Sequence, residues 1–366
     1  MALSDFDPQD FLDQYWQQRP CLLEQALPDF ICPVEGDDLA GLACEAEVES
    51  RIIIEQDDDW ELRCGPFSET DFTKLPAKNW TLLVQGVDQW IPEVAEIFEH
   101  FRFLPRWRTE DIMISFAVDG GNVGPHFDNY DVFLIQGAGQ RRWQVGQHCD
   151  EQSSLRQHDQ LRLLSNFDTQ NDYLLNPGDI LYIPPGVAHW GHGVGDNCIT
   201  LSVGFRAPSS GELLGHWADA LAAELNESQR YRDPKLVADA ESAFIPDSVL
   251  NELRTHLQQK LDDDVFLRKW FGELMTATHK HSIEVYEQQG EQFSLRLGAR
   301  LAYDAYYLYA DGQAFSYSEH QKNAVKALCQ LEGDAILAPE LCQQLGETLL
   351  QELQKNAILI MDDDDY

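Results

Sequence analysis

The chain has 366 residues, 43% of them hydrophobic and 11% aromatic, enough length and apolar material for more than one globular core. Its formal charge of −37 repels the phosphates of nucleic acid and membrane and favours a basic protein or peptide as partner, although acidity that serves solubility alone is the plainer explanation. No apolar run approaches the roughly 20 residues of a membrane span, the opening Met1-Ala2-Leu3-Ser4-Asp5-Phe6-Asp7 lacks the basic-then-apolar order of a signal peptide, and the eight cysteines carry no paired CxxC, which points to reduced, mostly buried thiols in a cytoplasmic protein.

Residues 1 to about 100 read as mixed α/β, with a short helix over 8–16 and a strand at 50–54. Between Asp111 and Arg206 the texture changes to short β-rich segments at 112–118, 131–136, 141–145, 179–183 and 198–205. Asp119-Gly120-Gly121, Gly137-Ala138-Gly139, Asn176-Pro177-Gly178-Asp179 and Pro184-Pro185-Gly186 part them, supplying the positive or fixed φ of tight reversals. Such spacing predicts a jelly-roll or cupin-like double sheet whose mouth can hold a metal. After Arg206 the period turns helical, with a capping box at Ser209-x-x-Glu212 followed by Leu213, Leu214, Trp217, Leu221 and Leu225.

Two further helices are predicted. One covers 247–261 with Leu250, Leu253, Leu257 and Leu261 on one stripe; the other covers 264–278 and carries Phe266, Leu267, Trp270, Phe271 and Leu274. That much apolar helical surface exceeds what one core needs and predicts packing on a second subunit. From about Ser282 come strands at 293–301, 306–309 and 313–317, the last two joined at Asp311-Gly312. Helices at 319–331 and 339–355 and a strand at 358–360 complete a small winged-helix-like module without the basic face of a DNA reader. The closing run of aspartates reads as a solvated tail.

The chemistry lies in His126-Phe127-Asp128 and, much later, in His189 at the end of Pro184-Pro185-Gly186-Val187-Ala188-His189. In an extended strand residues i and i+2 share a face, so His126 and Asp128 grip one ion while Phe127 packs away, and the third ligand arrives from another strand. Two imidazoles and one carboxylate form the facial set of an iron(II) oxygenase, which leaves one side of the ion for a chelating cosubstrate and dioxygen. HxD alone is a chance triplet; the turn, strand and Pro-Pro-Gly-x-x-His that follow in order set this one apart. His192 competes as third ligand, but it lies beyond Gly191 and reads as a neighbour of the site or a solvent-facing residue.

A 2-oxo acid such as 2-oxoglutarate needs a cation for its distal carboxylate. In Arg141-Arg142-Trp143-Gln144-Val145, alternation groups Arg141 with apolar Trp143 and Val145 and turns Arg142 outward. Arg141 is therefore the predicted anchor, through a bidentate pair; two surface arginines are the alternative. Ser115 is a candidate hydroxyl donor beside it. Asp119 and Asp131 are candidate carboxylates near the mouth for a cationic substrate, or else turn caps.

Taken together, Met113-Ile114-Ser115-Phe116, the run Gly124-Pro125-His126-Phe127-Asp128-Asn129-Tyr130-Asp131-Val132-Phe133, Gly139-Gln140-Arg141-Arg142-Trp143, Pro177-Gly178-Asp179-Ile180-Leu181-Tyr182-Ile183-Pro184-Pro185-Gly186 and Ser202-Val203-Gly204-Phe205-Arg206-Ala207-Pro208 resemble the JmjC-type ribosomal oxygenases, in particular the bacterial branch that hydroxylates an arginine of a large-subunit ribosomal protein. The match covers most of residues 100–210. It implies an α+β chain with a double-stranded β-helix barrel of the jelly-roll, cupin-like JmjC kind over 1–208. A helical dimerisation region over 209–280 and a small winged-helix-like domain over 281–366 would follow. It also implies Fe(II) on His126, Asp128 and His189, 2-oxoglutarate on Arg141 and Ser115, a homodimer, and a basic ribosomal protein as substrate.

Many JmjC proteins anchor 2-oxoglutarate through a lysine on the strand that here carries Arg141, and the arginine matches the bacterial ribosomal branch better. Open alternatives are the same chemistry on a histidine or asparagine of another ribosomal protein or on a methylated lysine, and a non-catalytic cupin-like module holding a basic protein. Metal content with 2-oxoglutarate turnover separates that last class from the others.

Overall fold

Nine strands pair antiparallel in the computed structural model, which describes residues 3–225, 228, 230, 232–233, 243–278 and 292–362. They are β1 (Cys21–Leu23), β2 (Ser50–Gln56), β3 (Asp59–Cys64), β4 (Trp80–Val84), β5 (Thr109–Ala117), β6 (Asp131–His148), β7 (Asn171–Leu175), β8 (Ile180–Ile183) and β9 (Val187–Phe205). Their order is β1-β8-β6-β9-β5-β4-β2-β3, with β7 on β6. Alternation gives this sheet two different faces. Ile52, Leu82, Ile112, Ile114, Phe133 and Ile135 enter one core. Ile53, Leu83, Met113, Ser115, Val132 and Leu134 line a cavity on the opposite face.

The core face is covered by the N-terminal elements. Helix α1 (Pro8–Gln14) starts where Asp7 accepts from the backbone N–H groups of Gln9 and Asp10. It delivers Phe11 to an aromatic group with Trp16, Phe101, Phe133, Tyr182 and Phe205, in which Phe11 meets Tyr182 edge-on at 5.0 Å. Burying each such ring contributes about 1.5–3 kcal/mol. Short helices α2 (Gly36–Leu42), α3 (Glu69–Phe72) and α4 (Pro92–Ala95) occupy the connections.

The segments expected at 131–136 and 141–145 form one strand, and 198–205 is the end of a strand that begins at Val187. The Gly137-Ala138-Gly139 reversal is an irregularity inside β6, where the pairing with β9 shifts between Gln136 and Ala138 and again between Ala138 and Gln140. The shift inverts the alternation. Val132 and Leu134 face the cavity before it, and Arg141 and Trp143 face the cavity after it.

The chain divides into two compact units, one of Met1–Ala207, Lys280–Ala299 and Gln330–Tyr366 and the other of Pro208–His279 and Arg300–Cys329. The second contains α5 (Ser210–Glu224), α6 (Asp247–Leu261), α7 (Asp264–Thr276), the sheet β11-β12-β13 and α8 (Lys322–Leu328), where β11 is Leu301–Tyr303, β12 is Tyr307–Ala310 and β13 is Gln313–Ser316. The Ser209 capping box is present. Helix α7 packs on this sheet through Gly272, and Arg268 pairs with Asp304, which also accepts from the Tyr309 hydroxyl at 2.9 Å.

The C-terminal stretch of the first unit pairs β10 (Gln292–Leu295) with β14 (Leu359–Asp362), beside α9 (Pro339–Leu345) and α10 (Glu347–Lys355). The single helix expected over 339–355 is broken at Gly346, whose φ of 78° lies outside the helical range. The segment 281–366 thus contributes to both units. Its first residues, 281–291, and the tail 363–366 lie outside the described residues.

All eight cysteines are free as expected, yet only Cys149, Cys198 and Cys329 are buried, and Cys64 is exposed. The expectation of mostly buried thiols is corrected: Cys64 ends the edge strand β3, where no neighbour covers it. Among the described residues no helix is long and apolar enough to cross a membrane.

Candidate metal and cosubstrate site

Three ligand atoms converge at one end of the cavity. His126 and Asp128 lie on the segment before β6 and His189 on β9; the potential ligand atoms of the three all lie within 4.8 Å of one another. His189 Nε2 is 3.4 Å and His126 Nε2 4.0 Å from Asp128 Oδ2. A backbone bridge sets the pair of imidazoles, with His189 N donating to His126 O at 2.8 Å and His126 N donating to His189 O at 3.2 Å.

Each ring is then turned by its other nitrogen. His126 Nδ1 bonds the Gly124 carbonyl at 2.9 Å and His189 Nδ1 the Val187 carbonyl at 3.0 Å. A carbonyl accepts, so each Nδ1 carries the proton and each Nε2 offers a lone pair to the ion. Burial lowers the pKa of His189 to about 4, with the neighbouring His126 adding to the shift, so His189 is neutral at physiological pH and ready to ligate.

The cavity has a volume of about 400 Å³. At its wall Arg141 is 2% exposed. Its Nη1 donates to Ser115 Oγ at 2.9 Å and its Nη2 to the Gly191 carbonyl at 3.3 Å, while the guanidinium lies 4.9 Å from the Trp143 ring centre. Nε has no partner, and among the described residues no carboxylate pairs with this cation. Desolvation pushes its pKa down. Gly191 is required beside it, because a Cβ there would sit 2.6 Å from the Trp143 ring and 2.7 Å from Arg141 Nε.

Alternation therefore placed both arginines: Arg142 is outside and pairs bidentately with Asp172 at 2.7–3.1 Å. Ser115 is buried in the same wall, its hydroxyl also 3.4 Å from the Thr200 carbonyl. His192 stands apart from the three converging ligands, its ring 4.5 Å from that of Trp190.

The two mouth carboxylates are not there. Asp131 points to the core face, fully buried, accepting from Tyr182 at 2.7 Å and from Arg108 and Gln17 at 3.1 Å. One residue of alternation separates it from cavity-facing Val132. Asp119 pairs with Lys78 at 2.7 Å and accepts from Gly195 N–H, so it ties a turn.

Sequence reasoning missed Tyr130, Arg51 and the segment 161–163, all of which line the cavity. Tyr130 follows Asp128 at i+2, the same-face spacing that relates His126 to Asp128, and that signal marks it. Its side chain is 43% exposed at the rim, while the protein around the hydroxyl, and then the charges of Asp128 and Asp111, push the phenol pKa up. Segment 161–163 comes from the long β6–β7 connection and carries no local signal.

Burial beside Arg141 and Arg142 lowers the pKa of His192 to about 4 against an ordinary 6.5. Below pH 6.5 the unfolded chain takes up a proton that the folded chain refuses, so this stability is complete above 6.5 and is lost as pH falls towards 4. The melting temperature of metal-free His192→Gln should accordingly fall less between pH 6.5 and 4.5 than that of the parent; equal slopes would refute the role given to His192.

Residues 96–213 match the JmjC domain family. The ribosomal protein uL16 3-hydroxylase of Escherichia coli strain K12 is 41% identical over 282 residues, 75% of this chain and 73% of that protein. The crystal structure of E. coli YcfD superposes with a TM-score of 0.88 at 35% identity, covering 99% of this chain and 100% of that one. YcfD, described as a ribosomal oxygenase, is also known in complex with cobalt and 2-oxoglutarate, and that structure gives a TM-score of 0.85 at 35% identity over 98% of this chain and 99% of that one. An antiparallel sheet that brings a metal triad and a buried arginine to one cavity, with 41% identity over 75% of the chain to a ribosomal protein hydroxylase, leads to one conclusion: the protein belongs to the JmjC-domain ribosomal oxygenase family.

Proposed function

We propose that the protein is an iron(II)- and 2-oxoglutarate-dependent hydroxylase acting on an arginine side chain of a large-subunit ribosomal protein. The observation that carries this reading is the buried, carboxylate-free Arg141 in the same cavity as three converging metal ligands. An unpaired buried guanidinium is costly, and a dicarboxylate that chelates an ion through its keto-acid end presents its far carboxylate to it. When bound, iron(II) and 2-oxoglutarate supply the oxidant that places one oxygen atom of dioxygen into a C–H bond while the cosubstrate leaves as succinate and carbon dioxide.

This chain's residues do the positioning. His126, Asp128 and His189 hold the ion, Arg141 and Ser115 orient the cosubstrate, and Leu83, Val132, Leu134 and Trp143 keep water from it. Tyr130, 43% exposed, marks the open end where a target side chain enters. The charge of −37 draws a basic ribosomal protein from a cytoplasmic pool. The relative named as a uL16 hydroxylase supports the target class.

The test is intact-mass spectrometry of ribosomal proteins incubated with the protein, iron(II), ascorbate and 2-oxoglutarate. One oxygen atom is gained on a single large-subunit protein, at an arginine by fragmentation. A gain on histidine or asparagine changes the target, and absence of succinate sinks the enzyme.

The helical region 209–280 serves as a homodimer interface in the same reading. Leu250, Leu253, Leu257 and Leu261 stand 44–50% exposed along α6, a stripe that water disfavours. Leu253→Glu with Leu257→Glu should halve the mass seen by light scattering while leaving the barrel's melting transition in place; an unchanged mass removes α6 from the interface.

A further inference from the structure

We propose that Asn122 is a positioning residue for the metal ligand His126, an inference that rests on the metal-dependent reading above. Asn122 is 2% exposed and lies on the loop between β5 and the triad. Its Oδ1 accepts from three groups, the indole Nε1 of Trp60 at 2.8 Å, the indole Nε1 of Trp190 at 3.0 Å and the backbone N–H of Gly124 at 2.9 Å. Its Nδ2 donates to the Gly120 carbonyl at 3.0 Å. Indole and backbone N–H groups only donate, so the oxygen must face all three, which settles the orientation of the amide.

The two histidine ligands differ in what supports their Nδ1 partners. His189 leans on the carbonyl of Val187, a residue of β9 paired with His148 of β6. His126 leans on the carbonyl of Gly124, which belongs to no strand. Among the described residues the Gly124 N–H has one partner, and that is Asn122 Oδ1. The residue whose carbonyl turns the His126 ring is therefore held, through its own N–H, by a side chain, beside the backbone bridge that joins His126 to His189. Because Trp190 follows His189 directly, the same oxygen ties the neighbour of one ligand to the loop that aims the other. Removing the acceptor frees the Gly124 N–H and leaves the indole donors of buried Trp60 and half-buried Trp190 without this partner.

The test titrates cobalt(II) into the full-length protein, followed by visible absorption, alongside thermal melting of the metal-free forms. Asn122→Leu and Asn122→Ser should bind cobalt about tenfold or more weakly, the scale on which an outer partner of a ligand matters. Asn122→Asp keeps an acceptor for Gly124 and, taking up a proton at its other oxygen, can still donate to the Gly120 carbonyl, so below its raised pKa it should bind closer to the parent than the Leu and Ser variants. Parent-like affinity in the Leu or Ser variant, even with lower melting, overturns the positioning role, as does an Asp variant as weak as Ser. If Asn122→Leu does not fold, the Ser and Asp pair decides. Failure of the parent to bind cobalt overturns the metal-site reading itself, and this inference with it.

Discussion

His126→Ala is expected to abolish 2-oxoglutarate turnover while leaving the metal-free protein folded, with an unchanged or slightly higher melting temperature. The side chain is 24% exposed, so its removal opens no core cavity, and the neighbouring His189 stays neutral through its own burial. Two ligands remain of three. Loss of an outer partner alone weakens metal binding by about 10–100-fold, so loss of a ligand should exceed that range. Cobalt titration and succinate release check both parts, and turnover within an order of magnitude of the parent would falsify the triad.

Arg141→Met separates stability from function in opposite directions. The guanidinium is buried, lacks a carboxylate and leaves Nε unpaired, so a well-packed apolar replacement should hold or raise the melting temperature of the free protein. Affinity for 2-oxoglutarate should collapse. Truncating one side of a buried charge pair costs about 2–5 kcal/mol, which is roughly 30-fold to several thousandfold in affinity at 1.4 kcal/mol per tenfold. Arg141→Lys retains the charge without the planar fork and should fall between the two. Calorimetric titration of 2-oxoglutarate into the manganese-loaded protein measures the loss; a melting temperature that drops with 2-oxoglutarate binding intact would assign Arg141 to the fold and leave the cosubstrate without an anchor.

Local pattern carried the placement of His126, Asp128 and Arg141 because each depends on alternation over three to five residues. His126 and Asp128 share a face at i+2, and Arg141 follows the apolar Trp143 and Val145 inward. Only nearness to the triad suggested Asp131 at the mouth; alternation, one residue out of step with Val132, turns it to the core, where it finds Arg108 and Tyr182. Counting alternation onward from Val132 would also have misplaced Arg141, since the β6 irregularity inverts the faces between them. Gly137 and Gly139 look like a turn locally; only pairing with β9 shows that the strand continues through them. Asn122 was invisible for a related reason. Its partners Trp60 and Trp190 lie 62 and 68 residues away, and no window of sequence contains them. Helix boundaries over 247–261 were legible because the leucine stripe has a period of its own, independent of what covers it.

β6 and β9 are 18 and 19 residues long and pair along most of that length, from Asp131 against Phe205 to His148 against Val187. The innermost partners, His148 and Val187, enclose a loop that must close before any of this ladder is rewarded, and the outer pairs are farther apart still. Domains ruled by such distant pairings fold slowly. His126 and Asp128 precede one strand and His189 sits on the other, so the triad comes into being only when this zipper has closed. A site assembled in this way is expected to take up its ion after the two strands have paired, at a rate set by how fast they find their register.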